Sequence, residues 1–129
     1  MGFNKRLLST TAAGGVTDFE FKTVDYDGDS SGQAITTVGF QPDLVWIKAT
    51  DNTSHNALYD SVRGPNEWMT TNGTNAQYTT TGAGEGTGTL ASFDPTGFTL
   101  GNDDGLWGVN RDPYNYVSWS WKAGGAPIA

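Results

Sequence analysis

The chain has no cysteine. That excludes a disulfide framework and thiol catalysis, and it makes a cysteine-ligated zinc site impossible. Histidine is almost as scarce, because His55 is the only one. A metal site would rest on oxygen ligands or on that single ring. His55 stands between Ser54 and Asn56, and no nucleophile elbow occurs anywhere, so a serine-hydrolase triad has no frame to sit in. Among 14 acidic residues no pair is marked out for glycoside hydrolysis. Positive charge is also short. Seven basic residues against 14 acidic ones leave a formal net charge of -7, which repels phosphate backbones and anionic lipid surfaces. Neither nucleic acid nor membrane is expected as a partner, and catalysis is not expected either.

Long apolar runs are missing too. Nothing approaches the roughly 20 residues that span a bilayer, so a soluble chain is expected. Leu7-Leu8 falls short of the apolar core of a signal peptide, and Arg6 occupies the position where myristoylation wants Ser or Thr. No window repeats apolar residues at i, i+3, i+4 and i+7, and 18 glycines disfavour helix, so none is expected beyond a turn or two.

What is present is a period of two punctuated by Gly, Asp, Asn and Pro. The most informative stretch runs from Gly39 to Lys48, where a Gln41-Pro42 turn signal precedes Leu44, Val45, Trp46 and Ile47. A short run apolar on both alternating faces suits an interior strand, covered on one side by core and on the other by more core or a second subunit. Phe19 to Tyr26 reads as a first strand, with Asp27-Gly28 as a hairpin turn that brings Ala34 to Phe40 back as its partner. Further strands are expected at His55 to Val62, Glu67 to Thr71, Thr89 to Phe93, Phe98 to Leu100 and Tyr114 to Lys122. In the last of these, Val117, Trp119 and Trp121 are expected to pack inside, with Ser118, Ser120 and Lys122 outside. Trp46, Trp119 and Trp121 are thus assigned to the core. About eight short strands predict an all-β, two-sheet antiparallel sandwich, jelly-roll or lectin-like. Its expected parts are a basic, small-residue-rich N-terminal arm over 1–16, the sandwich over 17–123 and a tail or linker over 124–129. The arm carries Lys5, Arg6, Leu7 and Leu8, which on an acidic body suit docking onto a neighbouring subunit.

Three other features bear on chemistry. Asp25, Asp27 and Asp29 alternate as carboxylates do in a calcium loop, yet Ser30 and Thr36 stand where an EF-hand needs Gly and Glu, so they read as an acidic hairpin tip. Asn102-Asp103-Asp104 with Asp112 forms a second acidic neighbourhood and reads the same way. Gly82, Gly84, Gly86 and Gly88 have no following helix to hold a phosphate. No metal or cofactor is therefore assigned. Trp68, Tyr78, Trp107 and Tyr114 fall at loops or strand ends, where an aromatic ring can stack on a sugar, and they are the candidate glycan contacts.

Three ordered blocks, GFQPDLVWIKATDNTSHNALYDSVRG, LASFDPTGFTLG and YVSWSWKAGG, together with the start MGFNKRLL, resemble a repeated domain of structural proteins of tailed bacteriophages, particularly marine and freshwater ones. The similarity covers nearly the whole chain. It implies a lectin-like β-sandwich on the virion surface, without catalytic activity, in a tail fibre or appendage or a head decoration. It also implies homo-oligomers, with a trimer among the expected states, bound to capsid or tail proteins. Related modules often follow after a segment like Lys122 to Gly125, so this chain is either a minimal version or a first module. Leu106-Trp107-Gly108 departs from the pattern by placing an aromatic where small polar residues are expected. Two functions follow as expectations. One is non-catalytic assembly in the particle; the other is recognition of host-surface glycans.

Overall fold

The computed structural model describes residues 20–80, 90–103 and 108–124. Nine strands follow one another: β1 (Glu20–Asp27), β2 (Gln33–Ile35), β3 (Leu44–Ala49), β4 (Ala57–Asp60), β5 (Glu67–Met69), β6 (Tyr78–Thr79), β7 (Leu90–Asp94), β8 (Gly97–Leu100) and β9 (Asn115–Lys122). All pairings are antiparallel, and they form a six-stranded sheet ordered β1-β9-β3-β4-β5-β6 and a three-stranded sheet ordered β2-β8-β7. No helix occurs among the described residues. The fold is an all-β two-sheet sandwich, as the alternating pattern predicts.

The Leu44–Ala49 strand is interior, with β9 on one side and β4 on the other. Val45, Ile47 and Ala49 on its inner face are buried. They meet Ala57, Tyr59 and Trp68 of the same sheet, and Ile35, Leu90, Phe98 and Leu100 of the smaller one. Each fully buried aliphatic or phenyl side chain contributes about 1.5–3 kcal/mol relative to exposure.

The expected hairpin between the first two strands is not formed. β1 pairs along its whole length with β9, and β2 pairs with β8 in the other sheet. The reason lies in the loop between them. Gly28 N–H donates to the Tyr114 carbonyl and Ser30 N–H to the Asn110 carbonyl, so the chain is held against the 110–114 segment and crosses between sheets instead of reversing. Asn110, fully buried, secures the crossing. Its amide nitrogen donates to Asp29 Oδ1 at 3.0 Å and to the Gly101 carbonyl at 3.1 Å, and its Oδ1 accepts from Gln33 Nε2. Its backbone N–H donates to the buried Asp103 carboxylate at 2.9 Å. Asp103 and Asp29 thus belong to a structural network, and Ser31 N–H above all holds the Asp29 carboxyl below its ordinary pKa, with Asn110 assisting.

The second correction concerns β9. Ser118 and Ser120 are fully buried, whereas Val117, Trp119 and Trp121 lie half-buried on the outside of the large sheet. Trp46 lies outside as well, so the three tryptophans assigned to the core are on the opposite face from it. The inner face of this sheet is already crowded by Tyr26 of β1, Tyr59 of β4 and Tyr116 of β9 itself, with Tyr26 and Tyr116 stacked at 5.4 Å. Small hydroxyl side chains fit there and indoles do not. Ser118 Oγ also donates to the Val24 carbonyl across the β1–β9 pair.

The three buried tyrosines give the fold a defined alkaline limit. Burial is the main cause that raises the pKa of Tyr26, Tyr59 and Tyr116 above the ordinary 10.0, and the Asp103 charge adds to it in each. A group whose folded pKa is raised stabilises fully below its unfolded pKa and loses that contribution as pH rises toward the folded value. Stability is therefore expected to hold up to about pH 10 and to fall steeply above it, with tyrosinate absorbance and loss of sheet signal in one transition. A denaturant midpoint that stays flat from about pH 9 to about pH 12 would contradict this.

Candidate functional site

The outer face of the large sheet is the candidate site. The strand register sets its side chains in four rows. The first runs Phe21, Trp121, Leu44 and Asp60; the second runs Thr23, Trp119, Trp46, Leu58 and Met69. The third is Asp25, Val117 and Lys48. Asp27 faces Asn115 in the fourth, where Thr50 N–H bonds the Asn115 carbonyl at 2.8 Å. The face therefore grades from aromatic at one end to polar at the other.

At the aromatic end, Trp46 and Trp119 lie 5.2 Å apart at 44°, and Phe21 and Trp121 lie 5.0 Å apart at 47°. Phe21 remains 48% exposed and Met69 36%, at the two borders of the patch. No second layer of described residues covers these rows, because the three-stranded sheet packs on the other side. The tilted rings make a ridged surface, suited to interdigitating with side chains of a protein partner. A flat sugar-stacking platform would need coplanar rings.

At the polar end, two open clefts of about 450 Å³ and about 590 Å³ share Thr50. Asp25, Asp27 and Asn115 line the first, and Asp51, Asn52, Thr53 and Tyr114 the second. The loop after β3 is held firmly. Lys48 Nζ donates to the carbonyls of Ala49 and Asn52 at 2.8 and 2.9 Å, and Ser54 N–H bonds Asn52 Oδ1. Asp51 receives the backbone and side-chain N–H groups of Asn115 at 3.0 and 2.7 Å.

Of the candidate glycan contacts among the described residues, Tyr114 alone stands at this cleft; its ring packs on the core, and the Arg111 guanidinium lies 5.8 Å from the ring centre. Trp68 is a correction: it is 4% exposed and stacks on half-buried Tyr78 at 4.4 Å, because its strand position turns it inward beside Tyr59. Its ring is unavailable to a ligand. Trp107 and the arm residues Lys5, Arg6, Leu7 and Leu8 lie outside the described residues. Asp25 and Asp27 share the outer face, whereas Asp29 turns toward Asn110, so these three carboxylates do not converge. Among the described residues no three His, Asp or Glu side chains are grouped to hold a metal ion.

Sequence reasoning missed the cleft loop, Thr50 to Thr53, and the hub Asn110. For the loop a signal existed, a run of small polar residues directly after the central strand. For Asn110 there was none, since its partners are 7 to 81 residues away along the chain.

The family described as "Domain of unknown function (DUF7483)" matches residues 17–129, and the chain belongs to it. No curated protein and no solved structure matches the chain.

Proposed function

We propose that this domain is a non-catalytic structural module of a tailed-phage particle, and that it assembles through the aromatic outer face of its six-stranded sheet onto copies of itself or onto a capsid or tail protein. The observation that carries the reading is this face: Phe21, Leu44, Trp46, Leu58, Met69, Trp119 and Trp121 lie on one side of a sheet with no described layer over them. Contiguous apolar surface of this kind costs solubility in a free monomer and marks a protein contact. Aromatics of this type are the side chains that dominate interface energetics. The sequence resemblance supplies the particle as setting, and a virion surface as location.

The test is a cryo-EM map of a particle that carries the chain. The expected result places Trp46 and Trp119 under a neighbouring subunit; a map with that face open to solvent overturns the reading. The basic arm adds a second element to it. Deleting residues 1–15 is expected to weaken binding of the purified chain to particles about tenfold, the scale of one or two charge-assisted contacts. Unchanged attachment would remove the arm from the proposal and leave the sheet face in place.

A further inference from the structure

We infer that the polar end of the outer face is a binding cleft for a neutral sugar ring. The inference stands on the cleft's own geometry, apart from the aromatic end that carries assembly.

Four observations converge. The first is size: the two open spaces, about 450 and about 590 Å³ and both bordered by Thr50, fall in the range of small-molecule sites. The second is preorganisation. Asn52 is held by Lys48 and Ser54, and Asn115 by Asp51 and Thr50, so amide and carbonyl groups are already fixed when a ligand arrives. Little ordering is left to pay on binding. The third is the aromatic side chain of Tyr114, which lines the second space together with Thr53. A ring supported from behind by core can present an edge or face to the C–H side of a pyranose.

The fourth is charge. Asp25 and Asp27 stand on the same face of β1, about 7 Å apart by strand geometry, and both border the first space. Carboxylates accept hydroxyl hydrogen bonds strongly and repel anions. Neutral polyols satisfy this arrangement, whereas acidic sugars and phosphorylated headgroups meet Asp25, Asp27 and Asp51, which outnumber the two cations nearby, Lys48 bound to the Ala49 and Asn52 carbonyls and Arg111 at 5.8 Å from the Tyr114 ring centre. The selectivity expected is thus for uncharged over anionic rings.

The experiment is a two-dimensional NMR titration of the labelled chain with glucose, galactose, mannose and N-acetylglucosamine, and separately with sialic acid. At least one neutral sugar is expected to shift the amides of residues 50–54 and 114–115 with a dissociation constant on the order of 1 mM, fitting an open cleft and a single ring. Tyr114→Ala is expected to weaken binding at least tenfold. Because Tyr114 also touches the core, Thr53→Arg serves as the second variant: Thr53 is exposed, and an arginine there fills the space without disturbing packing. It too should remove the shifts. The inference is overturned by no shift with any of the four neutral sugars, by shifts confined to the Trp46 and Trp119 region, by equal binding of sialic acid, or by binding that survives Thr53→Arg.

Discussion

Replacing Trp119 with glutamate is expected to weaken association through the outer sheet face roughly a hundredfold, or by about 3 kcal/mol. Trp119 is the centre of the aromatic patch, flanked across the strands by Thr23 and by Trp46, with Leu58 and Met69 continuing the row. Central, well-packed aromatics carry most of the energy of an interface, and a carboxylate in their place must be desolvated without a partner on association. The effect on folding is much smaller. Trp119 is only half-buried and points away from the core, so a loss of about 1 kcal/mol in stability is expected, mainly from its contact with Trp46. The two effects are separated by measuring sedimentation or particle binding alongside denaturant unfolding. Ala34→Glu supplies the comparison, because Ala34 is exposed on the smaller sheet, away from the patch. It should leave association unchanged. Equal association of wild type and Trp119→Glu would refute the sheet-face contact.

Gly97→Ala is expected to be among the most damaging single-methyl changes in the fold. Gly97 opens β8 and lies against the β2 strand; a Cβ built there would stand 1.9 Å from the Ile35 carbonyl oxygen and 3.0 Å from its carbon. Both obstructing atoms are backbone, and no side-chain rotation relieves the overlap. The β2 strand would have to move by more than an ångström, and Ile35 would lose its seat against Phe98 and Leu100. Overpacking of this kind costs about 3 kcal/mol or somewhat more, which for a chain of this size is a drop of roughly 10–15 °C in Tm. Calorimetry of the variant checks it, and an unchanged Tm would show that β2 shifts freely. The three residues of β2 make it the weak member of the small sheet, so partial detachment of this strand is the expected form of the damage.

The architecture was legible in the sequence to the extent that it depends on alternation. Period two over Leu44 to Lys48 and Tyr116 to Lys122 identified two central strands, and the turn residues separated most of the others. Alternation also grouped Val117, Trp119 and Trp121 on one face of their strand. Which of the two faces is inside did not follow. Alternation is symmetric under exchange of its two faces, and the preference for burying tryptophan over serine selected the wrong one at β9. The decisive quantity was volume: Tyr26, Tyr59 and Tyr116 already fill the space between the sheets, and only the serines leave room for them.

Strand partners show a similar division. Asp27-Gly28 is a good local hairpin signal, and locally nothing opposes it. It is overridden by Asn110, Asp29 and Asp103, which come together from loops far apart in the chain. Among the described candidate glycan contacts Tyr114 alone lines an open cleft, because the loop that shares it, Thr50 to Thr53, is placed there by the pairing of β3 with β9.

By itself the sequence determined the all-β class, the two-faced central strand and the exclusion of thiol chemistry, since these depend on composition and on the two-residue repeat of an extended chain. Only the tertiary structure decided which side of the Gly39 to Lys48 segment meets the core, that Trp46, Trp119 and Trp121 stand outside, and that the polar groups at the other end of the same face share a cleft. The physical reason is that burial is settled by the volumes of all the residues competing for one interior, and that competition runs between segments which no local pattern connects.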